Sequence, residues 1–169
     1  MHNSDGGGHG GSPAGAGAES RRRTAWVVDD SPAVLLLARC ALERAGWSVE
    51  TFEDLAAAFG HLTSADAPNA VLLDIHLPDG NGLDHVRTFT NAGAAVVMVS
   101  NVAGPDQLET AFAAGAADAI QKPFDLRSLV ARTERAVRAH HARSEPVALP
   151  ELLSSSDGEE LLTLTQKSL

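Results

Sequence analysis

Residues 70–74 read AVLLD, four apolar residues closed by an acid. An unbroken apolar run of this length reads as a strand buried on both faces, the form found in a parallel sheet covered by helices on either side. An acid ending such a strand needs a partner, because a carboxylate taken out of water is costly unless it is paired. Outward from this stretch the same form repeats. TAWVV (24–28) stops abruptly at Asp29-Asp30, and AAVVMVS (94–100) stops at Ser100. SVETF (48–52) alternates like a strand, and DAIQ (118–121) is a short strand running into Lys122-Pro123.

The segments between the strands carry helical spacing. Ser31-Pro32 reads as an N-cap and first helical position, followed by Val34, Leu35, Ala38, Ala41, Leu42 and Ala45 on one side, with Gly46 as the stop. Asp54 caps a second helix that runs to about Leu62. A third carries Leu83, Val86 and Thr90 inward and closes near Gly93. A fourth starts at Gly104-Pro105, with Leu108, Ala111 and Phe112 inward and Gly115 at its end. Asp125 caps a fifth, with Leu126, Leu129, Val130, Thr133 and Val137 on one face and its arginines toward water. Five strand–helix units in strict alternation imply an α/β domain with a parallel sheet and helices on both faces.

The expected domain spans residues 24–143. Before it, residues 1–23 form a Gly-rich tail, with seven glycines in the first seventeen positions, too poor in apolar surface to order itself. After it, residues 144–169 read as a linker and a short polar tail with room for a short helix beyond Asp157. His2, His9, His61, His85 and the pair His140-His141 read as solvated side chains. The single cysteine, Cys40, excludes an internal disulfide and reads as packing within the first helix. No apolar stretch approaches the roughly 20 residues that span a bilayer, and no signal peptide is evident, so the expected compartment is the cytoplasm.

Charge separates the function classes. The formal net charge of -9 opposes binding to nucleic-acid phosphates or to an anionic membrane. Residues 24–125 hold 14 acids against 4 bases, so the carboxylates outnumber the side chains that could pair with them, and a bound cation is one remedy. In an open parallel sheet, ligands sit outside the carboxyl ends of the strands. Asp29, Asp30, Asp74, Ser100 and Lys122 all fall at such ends and are expected to converge. Clustered carboxylates repel one another and raise each other's pKa values. An all-oxygen donor set suits Mg²⁺. A carboxylate beside a metal, an ammonium and a hydroxyl donor can accept a phosphoryl group, with Asp74 attacking phosphorus while the metal and Lys122 neutralise the oxygens.

VVDDSP, LLDIHLPDGNGLD, VMVSN and QKPF, in this order and spacing, resemble the receiver domain of two-component response regulators over about residues 24–140. The resemblance implies a flavodoxin-like doubly wound (βα)5 fold with strand order 2-1-3-4-5. It implies Asp74 as phosphoacceptor, with Lys122 and Ser100 assisting. It implies Mg²⁺ held by Asp29, Asp30, Asp74 and the backbone carbonyl of His76. The donor would be a histidine kinase or histidine phosphotransfer protein, and the output a downstream effector or a self-dimer. Such a chain is a switch, not an enzyme in the ordinary sense. Pro78 and Gly82 match the turn after the acceptor, and Lys122-Pro123 matches a peptide usually cis in the family.

Two positions depart from the family pattern. Ala119 stands where a switch aromatic is usual, and Asn101 follows Ser100 where a small apolar residue is common. His76 and Val102 occupy positions that tune phosphoryl lifetime in the family. An aspartyl phosphatase of the haloacid-dehalogenase type would need an acid two residues after Asp74, where His76 stands. A flavodoxin-like cofactor binder would want a Gly- or hydroxyl-rich phosphate loop in place of DDSP. Two other readings keep the receiver fold: a phosphorylation-independent interaction module, or the receiver fragment of a DNA-binding regulator. LLTLTQKSL (161–169) faintly resembles the opening of a LuxR-type helix-turn-helix. Arg127, Arg132, Arg135 and Arg138 are candidates for pairing across a dimer face.

Overall fold

Strand β1, Thr24–Val28, forms where the apolar run is dense enough to be buried on both sides, and it occupies an interior position of the sheet. The computed structural model describes residues 22–62, 67–101 and 104–144. Helix α1 follows at Pro32–Arg44, then β2 at Ser48–Phe52, α2 at Leu55–His61 and β3 at Ala70–Asp74. Two short antiparallel strands, β4 (His76–Leu77) and β5 (Gly80–Asn81), fold the turn after β3 back on itself. A 3-10 turn at Gly82–His85 leads into α3, Val86–Asn91. The chain continues through β6 (Ala95–Ser100), α4 (Pro105–Ala113), β7 (Asp118–Gln121) and α5 (Leu126–Ser144).

The main sheet has five parallel strands in the order β2-β1-β3-β6-β7. With the β4–β5 pair set aside, this is the expected 2-1-3-4-5 order of a flavodoxin-like fold. Alternation along each strand builds two cores. Ala25, Val27, Leu72 and Val97 face α1 and α5, while Trp26, Val28, Leu73 and Met98 face α2, α3 and α4. At about 1.5–3 kcal/mol for each large aliphatic side chain fully buried, these two layers are the main force fixing the strand ends in place. Arg23, at the entry to β1, stacks over Trp47 at 4.6 Å and pairs with Glu134 of α5 at 3.2 Å.

Several side chains sit differently from their sequence reading. Cys40 is exposed, because α1 buries the arc Leu35, Ala38, Ala41 and Leu42 and Cys40 falls outside it. In α3 the inward residue after Val86 is Phe89, not Thr90, since the 3-10 turn shifts the helical phase. Phe112 is 48% exposed and Leu126 38%; α4 buries only Ala111, and one further residue rotates Phe112 outward by about 100°. The arginines of α5 do face water, but Arg132 and Arg135, 43% and 64% exposed, also pair with Asp118, at 2.9 and 2.6 Å. Among the described residues, no helix is long and apolar enough to cross a membrane. The expectations for residues 1–21 and 145–169 and for Val102 lie outside the described residues.

Candidate functional site

β1 and β3 are neighbours in register, so the acids that follow them emerge side by side at one edge of the sheet. Asp29 follows β1 directly and Asp74 closes β3; both are buried. Asp29 Oδ1 accepts from the Ser31 N–H at 2.9 Å, and Asp74 Oδ1 accepts from the Ile75 N–H at 2.7 Å. Each carboxylate is thus oriented by its own loop, and the Oδ2 atoms turn to a shared partner. Lys122, at the end of β7, places Nζ 2.5 Å from Asp29 Oδ2 and 3.1 Å from Asp74 Oδ2. Ser31 stands at the N-cap position of α1, but its hydroxyl makes no cap bond.

Asp30 is exposed at the rim. One oxygen from each of Asp29, Asp30 and Asp74 lies within 4.8 Å of the others. Burial pushes the Asp29 carboxyl above its ordinary range, although Lys122 and the Ser31 N–H pull the other way. Burial works against the Lys122 ammonium too, but its bonds to Asp29 and Asp74 prevail and hold its pKa above the usual lysine value. Three carboxylates against one ammonium leave formal charge uncompensated. The donors are all hard oxygens, two with fixed orientation and one open to solvent. That set fits a small hard dication, with Asp29, Asp30 and Asp74 as its holders.

A cleft of about 260 Å³ opens over this cluster, lined among others by Asp30, Asp74, His76, Asn101 and Lys122. The turn after β3 shapes it. Gly82 donates its N–H to the Ile75 carbonyl at 2.8 Å. A Cβ at position 82 would run into the Asp74 carbonyl oxygen, so only glycine fits. Asp79 in the same turn accepts from the Leu55 and Ala56 N–H groups at 3.0 and 2.8 Å and so caps α2. Those bonds, the Leu55 one foremost, hold its carboxyl below the usual carboxylate range. This cap escaped the sequence reading because it joins residues 24 and 23 positions apart. The Lys122–Pro123 peptide is cis, as expected.

Of the predicted constellation, Asp29, Asp30, Asp74 and Lys122 come together. Ser100 ends β6 at the same edge, and its carbonyl accepts from the Lys122 N–H at 2.8 Å. Ser100 does not border the acidic cleft. It borders a second one, beside Ala119, with its hydroxyl buried. His76 borders the acidic cleft with its side chain exposed.

The family model for the response regulator receiver domain matches residues 25–134. The KDP operon transcriptional regulatory protein KdpE of Escherichia coli is 34% identical over 122 residues, which is 71% of this chain and 53% of the relative. The chain therefore spans about half that relative's length. Among solved structures, a CheY-like receiver domain protein of Methanospirillum hungatei aligns with a TM-score of 0.66 at 24% identity, over 72% of this chain and 98% of that one. The BeF3-activated receiver domain of DrrB, a Thermotoga maritima protein, aligns with a TM-score of 0.61 at 28% identity, over 69% of this chain and 97% of that one.

Proposed function

This chain belongs to the response regulator receiver family of two-component systems, and from that premise we propose that Asp74 accepts a phosphoryl group from a histidine kinase or a histidine phosphotransfer protein. The observation that carries the reading is the Lys122 ammonium set between Asp29 and Asp74, within a cluster of three carboxylates. The receiver unit runs over residues 24–143 and works in the cytoplasm.

In the transfer, an Asp74 oxygen bonds to phosphorus as the P–N bond to the donor imidazole breaks, and the electron pair leaves with the imidazole nitrogen. Asp29, Asp30, Asp74 and the His76 backbone carbonyl would hold Mg²⁺, which would supply charge neutralisation for the phosphoryl oxygens. Lys122 adds a positive charge beside Asp74, and its bonds to Asp29 and Asp74 favour the ammonium form. The Ile75 N–H fixes the rotamer of Asp74, so the nucleophile is oriented before the donor arrives. Ser100 supplies a hydroxyl to the phosphoryl group once its side chain turns toward the acidic cleft. The altered state then passes to an effector protein or to a second copy of the chain.

The test is phosphotransfer. A radiolabelled phosphohistidine donor is mixed with the full chain and Mg²⁺. Label is expected on the wild type and absent from Asp74→Ala and from a reaction with the metal chelated. Label retained by Asp74→Ala would place the acceptor elsewhere.

A further inference from the structure

Ser100 is 2% exposed, and among the described residues its hydroxyl has no hydrogen-bond partner. A buried hydroxyl left unpaired is costly, so a nearby space into which it could turn matters. Ser100 borders a cleft of about 250 Å³, whose other walls are Met98, Leu108, Ala119, Ile120, Gln121 and Arg132. It exists because position 119 offers only a methyl group opposite Met98 in the β6–β7 register. An apolar cavity of about 150 Å³ is already enough to hold benzene.

One wall is charged. Arg132 and Arg135 share the single carboxylate of Asp118, which leaves one formal positive charge beside the cleft. Arg132 spends Nη1 on Asp118 Oδ1 at 2.9 Å and on the Ala119 carbonyl at 3.1 Å. Its second amino group makes no further bond among the described residues. The cleft thus joins apolar walls wide enough for one ring, an unpaired buried hydroxyl and an excess guanidinium charge.

We propose that this cleft binds a small single-ring aromatic carboxylate. The ring lies against Met98, Leu108, Ala119 and Ile120, the carboxylate meets Arg132, and the Ser100 hydroxyl, turned into the cleft, donates to an oxygen of the ligand. A bound ligand engages Ser100 on the side away from the acidic cleft and so opposes its turn toward Asp74. That coupling rests on the phosphorylation proposed above; the binding does not.

The experiment is a titration of the full chain with 4-hydroxybenzoate, followed by amide NMR. Saturable shifts at Met98, Ser100, Ala119 and Ile120 are expected. Ala119→Phe, which fills the cleft, should abolish them. Ala119→Met, which narrows it, serves if the phenylalanine variant does not fold, and should weaken binding at least fivefold. Benzyl alcohol, lacking the carboxylate, should bind at least fivefold more weakly than 4-hydroxybenzoate to the wild type. Shifts that do not saturate, or that the filled-cleft variants retain, overturn the site. A repeat with beryllofluoride and Mg²⁺ tests the coupling, with hydroxybenzoate affinity expected to fall at least threefold. Unchanged affinity overturns the coupling alone. Failure of beryllofluoride to perturb Ile75 counts instead against phosphorylation at Asp74, and leaves the binding result standing.

Discussion

Lys122 Nζ lies 3.1 Å from Asp74 Oδ2, although 48 residues of chain separate the two. The contact exists because β3 and β7 flank β6 in the sheet and end at the same edge. The same ammonium serves Asp29, so one positive charge restrains two buried carboxylates.

Replacing Lys122 by methionine should therefore tighten divalent-cation binding. Coulomb's law at water's dielectric gives about 1.7 kcal/mol of repulsion between an ammonium and a dication about 5 Å apart, which is worth roughly tenfold in affinity. Calorimetric titration with Mg²⁺ should show Lys122→Met binding tighter than the wild type. Weaker binding would mean that the lysine organises the carboxylates more than it competes with the ion.

Gly82 touches the backbone of Asp74 too closely for any side chain. Gly82→Ala should cost about 1–3 kcal/mol, the usual range for forcing an atom into packed space. Urea unfolding measures that cost, and the Ile75 amide resonance should move with it. A variant of wild-type stability would contradict the close approach.

Asp79 caps α2 as a carboxylate, and its pKa is lowered in the folded state. For a lowered carboxyl, the stabilisation is present above the unfolded pKa and is lost as pH falls through the folded one. The stability gap between wild type and Asp79→Asn should be full at neutral pH and should close on acidification below about pH 4, the unperturbed aspartate range. Unfolding curves over pH 7 to 3 test this. A gap that persists unchanged at the acid end would contradict it.

Asp118 is 11% exposed in its side chain, while Arg132 and Arg135 are 43% and 64% exposed. Losing the carboxylate lets both arginines return to water, so Asp118→Asn should cost only about 1 kcal/mol. Replacing both arginines by glutamine strands a mostly buried carboxylate, which is the costlier direction. The double variant should be the less stable of the two by urea unfolding. The reverse order would show that the arginines contribute little.

The parts legible in the sequence were those written locally. Apolar runs that stop at Asp29, Asp74, Ser100 and Lys122 mark strand ends, and parallel topology then places those ends together. Asp54 and Asp125 cap their helices as read, because a cap involves only the next few residues. What escaped depends on tertiary facing. Nothing near Asp118 in sequence shows that α5 turns Arg132 and Arg135 toward β7. The inward place of Phe89 follows from a 3-10 turn that periodicity alone does not reveal. The burial of the Ser100 hydroxyl without a partner is equally hidden, because it depends on what packs around the end of β6.

Phosphorylation at Asp74 is tested by intact mass after incubation with Mg²⁺ and acetyl phosphate, beside Asp74→Ala. The expected result is a gain of one phosphoryl group by the wild type, absent from the variant and absent when Mg²⁺ is removed. An unchanged mass, both with acetyl phosphate and with a phosphohistidine donor and with the fold intact, would contradict Asp74 as an acceptor and leave the acidic cluster a metal site alone.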